Sequence, residues 1–103
     1  MTFFECLCGL SDLYPKVFDY RKIKEIDGFS KRILNEYLKK NYNFKTIVSF
    51  TRNDSRRKQL YVLRGGEKTK NKLLKLCVDE NIKITKASLT TITIELCEFN
   101  YEL

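Results

Sequence analysis

Histidine is missing altogether from this chain of 103 residues, and so is tryptophan. Without imidazole there is no Ser-His or Cys-His nucleophile pair, no ordinary general base near neutrality, and none of the commonest metal ligand. Any catalysis would fall to Lys, Arg, Tyr, a carboxylate or an unassisted thiolate. Proline occurs once and glycine four times. That leaves little punctuation and no linker, and with the length it points to one domain covering residues 1–103. Long apolar runs are also lacking. The longest internal one is Leu60-Tyr61-Val62-Leu63, against the roughly 20 residues of a spanning helix, so no membrane partner is expected. The first residues carry an early Glu5 and no basic stretch, unlike a secretory signal. A cytoplasmic, reducing location is therefore expected, that of the host cell if the chain is viral, with Cys6, Cys8, Cys77 and Cys97 as free and mostly buried thiols. Neither a C-x₂₋₄-C pair nor a cluster of acids stands out, so the expectation is no metal, no cofactor and no catalytic residues.

What the chain does have is core-forming material and unevenly placed charge. It is 43% hydrophobic, with seven Phe and six Tyr, enough bulk to fill an interior. The net charge is +7. Residues 45–75 hold ten Lys/Arg against two acids, so this one stretch carries more than the whole net charge, while residues 76–103 are acidic, with two bases against five acids. A segregated positive stretch points to a polyanion or an acidic protein surface as partner.

Residues 2–8, Thr-Phe-Phe-Glu-Cys-Leu-Cys, read as a first strand ending at Gly9, with Cys6 and Cys8 on one face. Residues 11–27 mix helical and alternating spacing and read as irregular or as a short helix. Phe29, Ile33, Leu34, Tyr37 and Leu38 form one apolar stripe, which predicts a helix over 28–41 with Asp27 as its N-cap and Asn41 or Asn43 at its end. Residues 45–52 and 58–64 are β-branched and aromatic, with Asn53-Asp54-Ser55 as the turn of a hairpin. Gly65-Gly66 breaks the second strand, and a helix follows over about 67–80, with Leu73, Leu74, Cys77 and Val78 expected to face inward. Residues 82–87 read as an extra strand or a loop. Residues 89–99 alternate and read as the last strand.

The order strand, helix, hairpin, helix, strand is that of a small α+β domain, β-α-β-β-α-β, a ferredoxin-like split β-α-β with an antiparallel sheet and two helices on one face. A winged-helix-like arrangement is the runner-up, because a Gly-Gly turn followed by lysines opens a helix.

The candidate binding residues are Arg52, Arg56, Arg57, Lys58 and Arg64 on the hairpin, and Lys68, Lys70 and Lys72 at the helix entrance, where free backbone N–H groups also favour anions. Ser49, Tyr61, Thr91 and Thr93 are expected on the open face of the sheet. Phe99 and Tyr101 are candidate partner or homodimer contacts. The expected function is a basic, non-enzymatic accessory or regulatory protein that binds DNA or RNA. The alternative is a viral or mobile-element inhibitor or adaptor that docks on a host protein, such as a nucleic-acid-handling enzyme. A His-free ribonuclease toxin is a third reading.

Overall fold

In the computed structural model, which describes residues 1–55 and 58–96, the chain opens with a helix rather than a strand. α1 spans Phe3–Ser11, and its start is a capping box: the Glu5 N–H donates to Thr2 Oγ1 at 3.0 Å and the Thr2 N–H to Glu5 Oε1 at 2.8 Å. Phe3, Cys6, Leu7 and Leu10 recur at helical spacing and are the residues it buries. The strand expected over residues 2–8 is thereby corrected. Alternation across Phe4, Cys6 and Cys8 competes with that helical stripe, and the two satisfied N–H groups at the cap favour the helix.

α2 runs over Tyr20–Tyr42, with Asp19 as its N-cap accepting from the Lys22 N–H. It therefore starts eight residues before the point the apolar stripe suggests. Asp27, expected to cap it, lies inside it, and its carboxylate accepts from the Tyr14 hydroxyl and from the Arg52 N–H. Asn43 ends the helix in the left-handed conformation, φ 57° and ψ 38°, and the Phe44 N–H returns to the Leu38 carbonyl at 3.3 Å. Asn81 (φ 59°) turns the chain the same way after α3, which spans Glu67–Asp79.

The strands are β1 (Ser49–Arg52), β2 (Leu60–Arg64), β3 (Lys83–Ala87) and β4 (Thr91–Glu95). They form one antiparallel sheet in the order β1-β2-β4-β3. Because β2 and β3 each run antiparallel to β4 between them, β2–α3–β3 is a split β-α-β unit. The α+β class and the four-stranded sheet are those expected. After α1 the linear order is α-β-β-α-β-β, the expected β-α-β-β-α-β with its last helix-strand pair moved to the front. There are three described helices rather than two. β3 is an edge strand with only Ile84 half-buried among exposed Lys83, Lys86 and Ala87; such charges discourage further strand addition.

One face of the sheet carries Phe50, Tyr61, Leu63, Ile92 and Ile94, all fully or nearly fully buried. They share a single core with Phe3, Leu7 and Leu10 of α1, Leu34 and Leu38 of α2, and Leu73 and Cys77 of α3. The register fixes which face each residue takes: Tyr61 stands opposite Ile94 and Arg52, so it points inward. Tyr61 was expected on the open face; it is instead a core ring, 5.1 Å from Phe50 and 5.4 Å from Tyr14. Ser49, Thr91 and Thr93 do face outward, half-buried beside Thr51, Val62 and Arg64, with no described aromatic among them.

Two polar ties hold α2 to the segment entering β1 and α1 to the end of α3. Asn35 of α2 clamps the backbone of Val48, accepting from its N–H at 2.8 Å and donating to its carbonyl at 2.6 Å. Glu80, just past α3, accepts from the Phe3 and Phe4 N–H groups at 3.3 and 2.7 Å, placing a carboxylate on the positive end of α1. No described helix is long and apolar enough to cross a membrane.

Candidate nucleic-acid interface

The expected cationic residues separate into groups once placed in the fold. Arg52 is turned inward. Its side chain is only 3% exposed, with Nε and Nη2 on the Asp54 carboxylate at 2.8–3.0 Å, Nη1 donating to the Pro15 carbonyl at 2.6 Å, and the guanidinium 5.9 Å from the Tyr14 ring centre. Burial alone would lower its pKa; the hydrogen bond and charge of Asp54 outweigh that and raise it. Nearby, burial together with the hydrogen bond and charge of Asp27 pushes the Tyr14 hydroxyl well above the ordinary tyrosine range. Arg52, Tyr14, Asp27 and Asp54 thus find their partners within the protein. They pin the loop between α1 and α2 to the end of β1.

Lys58 and Arg64 are exposed. Lys58 shares Glu95 with Lys83, at 4.0 and 3.3 Å, a loose surface arrangement that takes little from its charge. Arg64 ends β2 on the outer face of the sheet, opposite Ser49 and Thr91. Arg56, Arg57, Phe99 and Tyr101 lie outside the described residues, as does Cys97.

At the entrance of α3 the chain makes a tight approach. A Cβ on Gly65 would stand 2.8 Å from Thr69 Cγ2 and 3.0 Å from Thr69 Cβ, and the Gly65 N–H bonds the Thr90 carbonyl at 3.0 Å. Glycine here lets β2 turn directly into the helix. Gly66 is the N-cap and supplies no side-chain acceptor, so the first N–H groups of α3 keep their anion-attracting character. Thr69 hydrogen-bonds Thr46, which seats the loop of residues 43–48 beside that entrance. Along α3, Lys68, Lys72 and Lys75 are four and three residues apart and share one exposed strip, while Lys70 points away from it and is half-buried.

That strip meets a second group of cations that the sequence leaves scattered. Three shallow grooves run along α2, the loop of residues 43–48 and α3. The first is lined by Gly28, Lys31, Arg32, Asn35, Glu36, Lys39 and Ile47. The next shares Asn35, Lys39 and Ile47 and adds Lys45 and Phe44. The third shares Phe44 and adds Tyr42, Lys72, Lys75, Leu76 and Asp79. Their shared lining residues place the three grooves next to one another on one face. Six cations line them (Lys31, Arg32, Lys39, Lys45, Lys72 and Lys75), against two acids, Glu36 and Asp79. Of these six, only Lys72 was among the expected binding residues. The others were missed because they come from two helices and a loop up to 44 residues apart, and helical phase alone does not say which sides of two helices meet.

The remaining chemistry is sparse. Cys6 and Cys77 are buried thiols; burial, and then the charge of Glu80, push the Cys77 thiol up to about 12, which disfavours the nucleophilic thiolate. Among the described residues no three His, Cys, Asp or Glu side chains come together as a metal site would require. Comparison of the chain with protein-family models, with curated proteins and with solved structures found no match.

Proposed function

We propose that this protein is a small, non-catalytic nucleic-acid-binding accessory protein of a reducing intracellular compartment, and that it contacts the phosphate backbone with the face formed by α2, residues 43–48 and α3. The observation that carries this reading is the convergence of Lys31, Arg32, Lys39, Lys45, Lys72 and Lys75 on one face of adjacent grooves. Lys68 and the uncapped N-terminus of α3 continue it. Point charges on flexible stems beside a helix N-terminus are the means by which phosphate backbones are held without reading sequence. Arg64 and Lys58 extend positive charge onto the sheet and hairpin, whereas Arg52 acts as a structural cation.

The test is fluorescence anisotropy of a labelled oligonucleotide titrated with the protein at rising salt. Binding should weaken steeply with salt, its log–log slope scaling at about 0.7–0.9 per phosphate contact. Reversing Lys39, Lys45, Lys72 and Lys75 together to Glu should remove it. A wild-type protein that retains no nucleic acid at low salt would end this reading.

A protein partner is the second reading, favoured by one observation. Leu13, Val17, Phe18 and Tyr20 are 46–79% exposed along the loop between α1 and α2 and the start of α2, a loop that Arg52 holds in place through Pro15. Fixed apolar side chains of this kind suit an inhibitor or adaptor docking on another protein. Stoichiometric capture of a protein by wild type but not by a Val17→Ser/Phe18→Ser variant, with no nucleic acid bound, would favour it.

A further inference from the structure

Resting on the nucleic-acid reading above, we infer that the strand this face accepts is single-stranded, with unpaired bases covering Tyr42 and Ile47 while the phosphates meet the lysines around them. Charge alone would serve a duplex, but this face is not lined by charge alone. Ile47 is 67% exposed in the middle of it, between Lys31, Lys39 and Lys45. Tyr42 is 36% exposed in the third groove, beside Phe44, Leu76, Lys72 and Lys75. Apolar side chains set between cations match a polymer that alternates flat apolar rings with anionic groups. A duplex buries its base faces in the stack and offers these residues nothing to cover them. A single strand presents both, and base-on-aromatic stacking within a positive groove is the general mode of such binding.

The third groove is also prepared for a ring. Tyr42 packs on Tyr37 with ring centres 5.9 Å apart, and the Tyr37 hydroxyl donates to the Met1 carbonyl at 2.9 Å. Phe44, in the same groove, is buried, with Lys72 Nζ 5.1 Å from its ring centre. Tyr42 is therefore a braced ring, which lowers the ordering cost of stacking. Asp79 lies in the same groove. A carboxylate there repels phosphate and accepts hydrogen bonds from the amino group of a base, which places the base, not the backbone, at this point of the face.

The experiment compares wild-type protein on an unstructured single-stranded oligonucleotide and on the duplex of the same sequence, by anisotropy at equal salt. The single strand should bind at least about tenfold more tightly. Tyr42→Ala should weaken single-strand binding by roughly tenfold with little change in salt slope and none in duplex affinity. Tyr42→Phe should retain it, and Ile47→Ser should weaken it by a smaller factor. Equal or tighter duplex binding by the wild type overturns the inference without recourse to any variant. So does a folded Tyr42→Ala protein, checked by circular dichroism, that binds the single strand as wild type does. If both forms bind equally and the lysine reversals abolish both, nucleic-acid binding stands and the single-strand inference falls. If wild type binds neither, the underlying reading itself fails.

Discussion

Arg52 and Lys72 belong to the same basic tract, yet they end in two regions with opposite electrostatic roles. Around Arg52 the charge is closed: a buried guanidinium, the Asp54 carboxylate, the Pro15 carbonyl and the Tyr14 ring satisfy one another. Around Lys72 the charge is open. Lys31, Arg32, Lys39, Lys45 and Lys75 line grooves with two described acids, and no described salt bridge takes up their charge; Arg32 only lies over the Phe29 ring, at 5.1 Å. In a closed cluster, removing one member strands the others, so the loss appears in folding. In an open face, removing one member strands nothing, so the loss appears in binding.

The comparison breaks most visibly under charge reversal. Exchanging Lys39, Lys45, Lys72 and Lys75 for Glu should weaken nucleic-acid binding on the order of 100-fold or more while leaving the urea midpoint close to wild type; a collapse of the midpoint would mean these lysines hold the fold. Next comes Arg52→Ala, expected to cost about 2–3 kcal/mol in urea unfolding, the lower side of the buried-pair range because the Asp54 side chain is 27% exposed. Its single-strand affinity under native conditions should be unchanged. Gly65→Ala should cost about 1–2 kcal/mol, because the new Cβ meets a β-branched Thr69 that is itself buried and tied to Thr46. Glu80→Gln should cost about 1 kcal/mol by weakening the anion on the α1 N-terminus, read as a lower melting temperature. Lys72→Ala should cost about 0.5–1 kcal/mol through its contact with the Phe44 ring and lower the salt slope of binding by about one contact.

The interior also gives a pH test. With the Cys77 thiol raised to about 12 in the folded state, against 9.0 as its ordinary value, both states are protonated below pH 9 and the contribution is fully present there. Between 9 and 12 the unfolded chain releases its proton first, so stability falls as pH rises through that window. Wild type should lose more stability there than Cys77→Ala. At pH 8, Cys77 should resist alkylation until urea unfolds the chain.

Much of the secondary structure was legible because it rests on local apolar spacing. Leu73, Leu74, Cys77 and Val78 marked α3, although Val78 is 63% exposed and does not face the core; Ile92, Ile94 and Leu96 marked β4, and the hairpin was visible from its β-branched flanks. α1 was also written in the sequence, in Thr2 and Glu5 spaced as a capping box and in Phe3, Leu7 and Leu10, but the alternation of residues 2–8 masked it. The first turns of α2 were obscured because Asp27 and Ser30 interrupt the apolar stripe, and both are polar residues that the fold turns inward. The candidate interface was the least legible part. Density of charge along the chain put Arg52 with the lysines, and only strand register, which pairs it with Tyr61, separates them. Lys31, Arg32 and Lys39 read as ordinary solvated helix positions until Asn35 fixes α2 against Val48.

The Glu80 cap on α1 carries a consequence for how the chain is made. Synthesis runs from the first residue onward at about 5–20 residues per second, so α1 leaves the ribosome about 4–15 seconds before the carboxylate that completes its N-terminus. Through that interval α1 has its local Thr2–Glu5 capping box, but Phe3, Leu7 and Leu10 lack both the Glu80 carboxylate and the sheet that covers them. α1 is thus made before the strands that cover it, and the nascent chain must carry an apolar surface until Glu80 and the strands after it arrive.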